Sequence, residues 1–122
     1  MAAPNIVEAT SIYGKTTAAG LTTSLTTSLL ANSASSNKLL KINSIIVGNK
    51  DGTNNADATV SFYDGSTDYY LAYTITVPAD STLVVLGKDA PIFLEEGQSL
   101  RGGASAESDL DAIISYEELD DA

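Results

Sequence analysis

The apolar positions of this chain fall into short runs separated by turn-forming residues, and within the runs they recur every second residue. From Asp68 to Val77 the residues Tyr69, Leu71, Tyr73, Ile75 and Val77 alternate with Tyr70, Ala72, Thr74 and Thr76, which predicts a strand with one buried face. Ala58 to Tyr63 alternates as well, with Ala58, Val60 and Phe62 against Thr59, Ser61 and Tyr63. Asp64-Gly65-Ser66 between these two stretches is a hairpin turn signal. Lys38 to Gly48 is apolar on both faces, which predicts a strand at the centre of a sheet. In it Leu40 and Ile42 share one face, while Leu39, Ile45 and Val47 favour the other.

The stretch from Thr74 to Leu100 organises the rest. Its apolar runs Thr82 to Leu86 and Pro91 to Leu94 are bounded by Pro78-Ala79-Asp80, Gly87-Lys88-Asp89 and Glu95-Glu96-Gly97, and they are too short for helices. Ser99 to Ser105 reads as a strand whose Gly102-Gly103 pair predicts a bulge or a close backbone approach. Leu110 to Leu119 alternates again, with Leu110, Ala112, Ile114 and Tyr116 inward. Near the start, Asn5 to Lys15 reads as a strand. The repeat LTTSLTTS from Leu21 to Ser28 has leucines at helical spacing, but its threonines favour a strand, placed over Thr26 to Ala31.

Strands at regular spacing, each closed by turn chemistry, predict an all-β protein: a single-domain antiparallel β-sandwich, jelly-roll or Ig-like. Residues 1–20 form an N-terminal strand or arm, and residues 21–122 the sandwich. The expected core is Leu40, Ile42, Val60, Phe62, Leu71, Ile75, Leu83, Val85, Leu100, Leu110 and Ile114.

Composition narrows the chemistry. The 122 residues include no Cys and no His, which removes cysteine nucleophiles, imidazole and thiolate metal sites, and any triad with a histidine base. Sixteen acidic against six basic residues give a formal charge of −10, so neither nucleic acid nor an anionic membrane is an expected partner. No apolar run is long enough to span a bilayer as a helix. MAAPNIVEAT has neither a basic leader nor an apolar segment of the secretory kind, so no signal peptide is expected.

Three groups of residues invite a functional reading. Asp51, Thr53, Asn55 and Asp57 place oxygens at every second residue, but a helix-loop-helix calcium loop needs Gly at its sixth position and Glu at its twelfth; here the twelfth is Phe62. A solvated loop is expected, and no metal. Glu95 and Glu96 match a paired-carboxylate glycosidase only by composition, since neighbours on a strand point to opposite faces. A charged turn is expected, with no turnover and no cofactor. Tyr63, Tyr69, Tyr70 and Tyr73 are either a carbohydrate or protein contact or a structural set; the structural reading puts Tyr69 and Tyr73 in the core and pairs Tyr63 with Tyr70 across the hairpin.

Three stretches together, LLANSASSNKLLKINSIIVGN, DATVSFYD and TVPADSTLVVLGKDAPIFLEEGQSLRGGASAESDLDAIISYEEL, resemble small β-sandwich virion structural proteins of tailed bacteriophages, of the marine and cyanophage type. The matching positions are Asn49 at the end of an apolar hairpin, Val77-Pro78-Ala79, Leu94 to Leu100, and Tyr116 to Glu118, over about residues 28–119. The resemblance implies a virion component, foremost a capsid decoration (cement) protein, with a neck or tail accessory or a glycan-binding fibre module as the alternative. Stand-alone domain size favours the first. Other virion proteins, the major capsid protein or a neck or tail protein, are the implied partners, and a homo-oligomer, a trimer for choice, is the implied state. The candidate interface residues are Ile6, Val7, Ile12 and Tyr13 on the arm, and Tyr63 and Tyr70 on the hairpin.

Overall fold

The computed structural model describes residues 11–120, and nine strands account for most of them: β1 (Ser11–Gly20), β2 (Ser28–Ala31), β3 (Lys38–Asn49), β4 (Ala56–Tyr63), β5 (Asp68–Val77), β6 (Thr82–Leu86), β7 (Ile92–Leu94), β8 (Ser99–Ala104) and β9 (Leu110–Asp120). Among the described residues there is no helix. The segment read as an N-terminal strand or arm therefore contributes β1 from residue 11 onward, while residues 1–10, with Ile6 and Val7, lie outside the described part.

The strands form two antiparallel sheets. One runs β1-β9-β3-β6, with β7 pairing a second length of β3; the other runs β2-β8-β4-β5. β6 takes Ile45 to Gly48 of β3 and β7 takes Leu40 to Ile42, so together they act as one interrupted strand, broken by the turn in which the Ala90 amide donates to Gly87. Counted that way, eight strands fill two four-stranded sheets in the winding of a jelly roll. An immunoglobulin sandwich would pair its first strand with its second; here β1 pairs β9 and β2 lies in the other sheet.

The core lies between the sheets. Leu40, Ile42, Ile45, Val47, Leu110, Ala112 and Ile114 from the first sheet meet Leu29, Ala58, Val60, Val77 and Leu100 from the second, closed at one end by Leu21. β3 supplies four of these through a bulge. Its register against β9 shifts between Ile42 and Ser44, leaving Asn43 as an extra residue whose amide donates to Glu117 (3.0 Å). Leu40 and Ile42 before the bulge, and Ile45 and Val47 after it, thus share the core face, although strict alternation would divide them.

Of the expected core, Leu40, Ile42, Val60, Leu100, Leu110 and Ile114 are buried, and Phe62, Leu83 and Val85 are partly buried against them. Leu71 and Ile75 are exposed, for the reason given below. Gly102 and Gly103 mark close approaches: a Cβ on the first would stand 2.3 Å from the Thr59 carbonyl oxygen, and on the second 2.4 Å from that of Ser24. The LTTSLTTS segment is irregular up to β2; its Thr22 and Thr27 carbonyls accept from the amides of Ala104 and Gly102. Leu21 and Leu29 are buried and Leu25 is exposed, so the helical spacing reflects no common face.

Candidate functional site

β5 is the outer strand of its sheet, and its side chains depart from the alternation of its sequence. Between the pairs Ala58↔Ile75 and Val60↔Ala72, β4 has one residue and β5 has two; between Val60↔Ala72 and Ser61↔Tyr70, Leu71 is extra. At the first irregularity Thr74 takes φ 50°, and its amide donates to the buried Thr59 hydroxyl (3.1 Å). Each extra residue shifts the parity of the strand. Only Ala72 and Val77 of β5 are then buried. Tyr69, Tyr70, Leu71, Tyr73 and Ile75 all reach the surface, with Tyr69 57% and Tyr73 58% exposed. The expectation of Tyr69 and Tyr73 as core residues is corrected by these bulges.

The exposed set continues across the side of the sandwich. Phe62, Tyr69, Tyr70 and Leu71 face Ile92 and Phe93 of β7 over a groove of about 270 Å³. No charged side chain lines it. Tyr70 and Tyr73 meet edge to face, ring centroids 4.8 Å apart at 65°. Tyr63 plays a different part: the Arg101 guanidinium lies 3.5 Å over its ring and bonds Asp68 (3.1 Å), which also accepts from the Ser61 hydroxyl (3.0 Å). This stack ties β4, β5 and β8 together and holds the hairpin that presents the aromatic groove. The expected Tyr63–Tyr70 pair is thus replaced by Tyr70–Tyr73 and Tyr63–Arg101.

Ile12 and Tyr13 stand on β1, at the opposite side of the sandwich from β5, and both are exposed. Tyr13 lies 6.0 Å from the ammonium of Lys15. Lys15 and Lys38 both pair with Glu118, whose hydrogen bond and charge hold the Lys15 ammonium above its ordinary pKa.

The polar groups read as possible chemistry are committed to the scaffold. Asp51 accepts from the amides of Thr53 (2.8 Å) and Asn54 (3.2 Å), which hold its carboxyl below the usual range. Asn55 accepts from the Ala79 amide and Asp57 from the Thr76 hydroxyl, so the oxygens of this loop turn to separate partners. No group of three or more acidic side chains among the described residues could hold a metal ion. Asp64 is likewise lowered by the amides of Thr67 and Ser66, whereas loss of water and the nearby Asp51 charge raise Asp109. Glu96 departs from the expected charged turn: it is buried, and its carboxylate accepts from the Asn37 amide (3.0 Å), anchoring the β2–β3 loop. Gly97 (φ 84°) makes that turn possible.

Two buried asparagines carry a structural role that the sequence pattern does not assign: Asn32 reads there as part of a polar turn, and Asn49 only as a matching position of the resemblance. Asn32 donates to the carbonyls of Lys38 (2.8 Å) and Leu94 (2.9 Å), and Asn49 to those of Asn54 (3.0 Å) and Val77 (2.9 Å). Each closes one end of the sandwich by satisfying carbonyls where the ladders stop. The signal available was an Asn at the end of an apolar run.

No protein-family model matches the chain, and no curated protein matches its sequence. Solved structures do match its shape. The capsid of Helicobacter pylori bacteriophage KHP30, described as acid-stable, aligns with a TM-score of 0.52 at 10% identity, over 93% of this chain and 91% of that one. A protein of Bacillus endospore appendages, described as a novel family of disulfide-linked pili, aligns with a TM-score of 0.49 at 16% identity, over 92% and 90%. A pentameric capsid protein isolated from metagenomic phage sequences aligns with a TM-score of 0.39 at 15% identity, over 86% of this chain and 64% of that one. At such identities the likeness is one of fold, and the phage capsid structure carries it: the chain is a β-sandwich of the kind a phage capsid protein also adopts.

Proposed function

We propose that this chain is a structural protein of a phage particle, and specifically a decoration protein that grips the shell through protein–protein contacts without catalysing a reaction. The observation that carries this reading is the aromatic groove between β5 and β7. An acidic domain leaves Tyr69, Tyr70, Leu71 and Phe93 exposed around a groove that no charged side chain lines, with the exposed Tyr73 packed against Tyr70 beside it. Clustered exposed aromatics are what a buried contact needs, since they bring large area at low entropic cost. The sandwich fold shared with a phage capsid protein and the sequence resemblance support the same reading.

The alternative is a neck, tail or fibre-associated module that binds a host glycan. Exposure of Tyr69 gives it a stacking platform. The groove supplies only apolar and tyrosine side chains, however, and lacks the carboxylate, amide and guanidinium groups that fix sugar hydroxyls; a protein surface suits it better.

Gradient-purified particles from the source should contain the chain, by mass spectrometry, in copy number set by the shell. Tyr69→Ser with Phe93→Ser should abolish binding of added protein to particles stripped of it, while the far-ultraviolet circular dichroism stays that of a β-sandwich. Absence from every particle fraction overturns the assembly reading. Saturable binding to a glycan array, lost in the same variant, would favour the alternative.

A further inference from the structure

The four outer edges of the two sheets are not alike. β5 is interrupted twice and takes φ 50° at Thr74; β2 has four residues and a register shift; β6 and β7 have five and three, with a turn between them. Bulges and short strands are the usual protection of an edge against further pairing. β1 has neither. Its ten residues keep one unbroken register against β9, from Ser11↔Asp120 to Gly20↔Asp111.

We propose that β1 is the strand by which two copies of this chain join, each adding its β1 to the partner's five-stranded sheet about a two-fold axis. The inference stands on the edge itself and needs neither the aromatic groove nor a place in a particle.

The ladder fixes which groups are available. The Leu21 amide donates to the Leu110 carbonyl (2.8 Å), continuing the register of β1 by one residue. In an antiparallel ladder hydrogen-bonded and non-hydrogen-bonded pairs alternate. Residues 13, 15, 17 and 19 therefore bond β9, and Ile12, Gly14, Thr16, Ala18 and Gly20 turn their N–H and C=O groups to the other side, where no strand among the described residues pairs with β1.

Charge favours a second copy here. Two chains of charge −10 repel, yet SIYGKTTAAG carries no carboxylate, and its one charge, Lys15, is drawn onto Glu118 of β9. Charge also selects the register. Outward residues must face outward residues, so the fullest overlaps centre on residue 15 or residue 16. Centring on 15 sets Lys15 against the partner's Lys15, and like charges directly opposite are destabilising. Centring on 16 sets Thr16 against the partner's Thr16, Ile12 against the partner's Gly20, and Tyr13 against the partner's Ala19. Large side chains then lie over small ones. Such a contact uses the same patch on both copies and closes as a dimer.

The test uses the full chain. Sedimentation should show a dimer, and Thr16→Pro should give a monomer: this N–H points outward, so proline there removes the central bond of the seam while sparing the ladder to β9. An unchanged thermal midpoint at low protein concentration checks that the fold survives. Because the chain has no Cys, single-cysteine variants can carry spin labels one at a time. At about 3.4 Å per residue, backbone separations across the axis should be about 14 Å at both Gly14→Cys and Ala18→Cys and about 27 Å at both Ile12→Cys and Gly20→Cys. A wild-type monomer at every concentration reached, a dimer indifferent to Thr16→Pro, or separations not symmetric about residue 16 would each overturn the proposal.

Discussion

β3 and β5 are both long apolar strands interrupted by bulges, and the interruption works in opposite directions. In β3 the extra Asn43 gathers Leu40, Ile42, Ile45 and Val47 onto one face, and that face is the core. In β5 the extra residues leave only Ala72 and Val77 inside, while Tyr69, Tyr73 and Ile75 go to the surface. Position makes the difference. β3 is flanked by β9 on one side and by β6 and β7 on the other, so its parity must suit the core. β5 has β4 on one side only, and apolar residues can be spent there on a contact with something else.

The largest expected effect sets the two strands against each other directly. Ile45→Ala, at a fully buried site, should destabilise by about 2–5 kcal/mol in urea denaturation. Ile75→Ala, 43% exposed, should cost about 1 kcal/mol or less. Equal losses would mean that β5 packs as tightly as β3, and the distinction between them would fall.

A second variant removes the tie between the two strands. Asn49 ends β3 and donates to the carbonyl of Val77, which ends β5. Asn49→Ala strands the carbonyls of Val77 and Asn54 and should cost about 1–3 kcal/mol, read as a lower urea midpoint at unchanged slope.

Thr74→Gly sharpens the claim that β5 is bulged by design. A β-branched residue at φ 50° is strained, and glycine relieves that strain while keeping the amide that bonds Thr59. The midpoint should rise by an amount worth up to about 1 kcal/mol after the entropy of glycine is subtracted. A loss would show that the Thr74 side chain, rather than its backbone, holds the bulge.

The smallest effect is on pH dependence, at the β4–β5 turn. The Asp64 carboxyl is lowered by the amides of Thr67 and Ser66. Its contribution is therefore present above the unfolded value near pH 4 and is lost as pH falls through the folded one. Between about pH 5 and about pH 3 the urea midpoint should fall less in Asp64→Asn than in the wild type. Asp109, raised by desolvation and the Asp51 charge, works with the opposite sign and partly masks the trend.

The strands were legible because each run was short, alternating and closed by turn residues; the boundaries of β3, β5 and β9 agree with the reading to within a residue or two. The bulges were not. Nothing in INSI or AYTIT announces that Asn43 or Thr74 leaves the ladder, because the cause lies in partners far along the chain, Glu117 for one and Thr59 for the other. The aromatic surface was half legible for the same reason. Four tyrosines in eleven residues stood out, but which of them face solvent depends on a parity set by β4. Glu96 looked like any surface acid until the β2–β3 loop supplied its amide.

The place of β9 between β1 and β3 also dictates when the molecule can fold. β9 comes last among the described strands, yet it is the inner neighbour of two strands that precede it by some seventy and one hundred residues in the chain. While the chain is being synthesised, β1 has no partner in its own sheet, and one whole side of β3 stays open until residue 120 has cleared the ribosome. Closing such long loops precedes the gain from pairing, which places folding in the milliseconds-to-seconds range typical of non-local β topologies. Through that interval the β9-facing edge of β3 keeps its N–H and C=O groups unpaired, an open template on which a neighbouring nascent chain can pair.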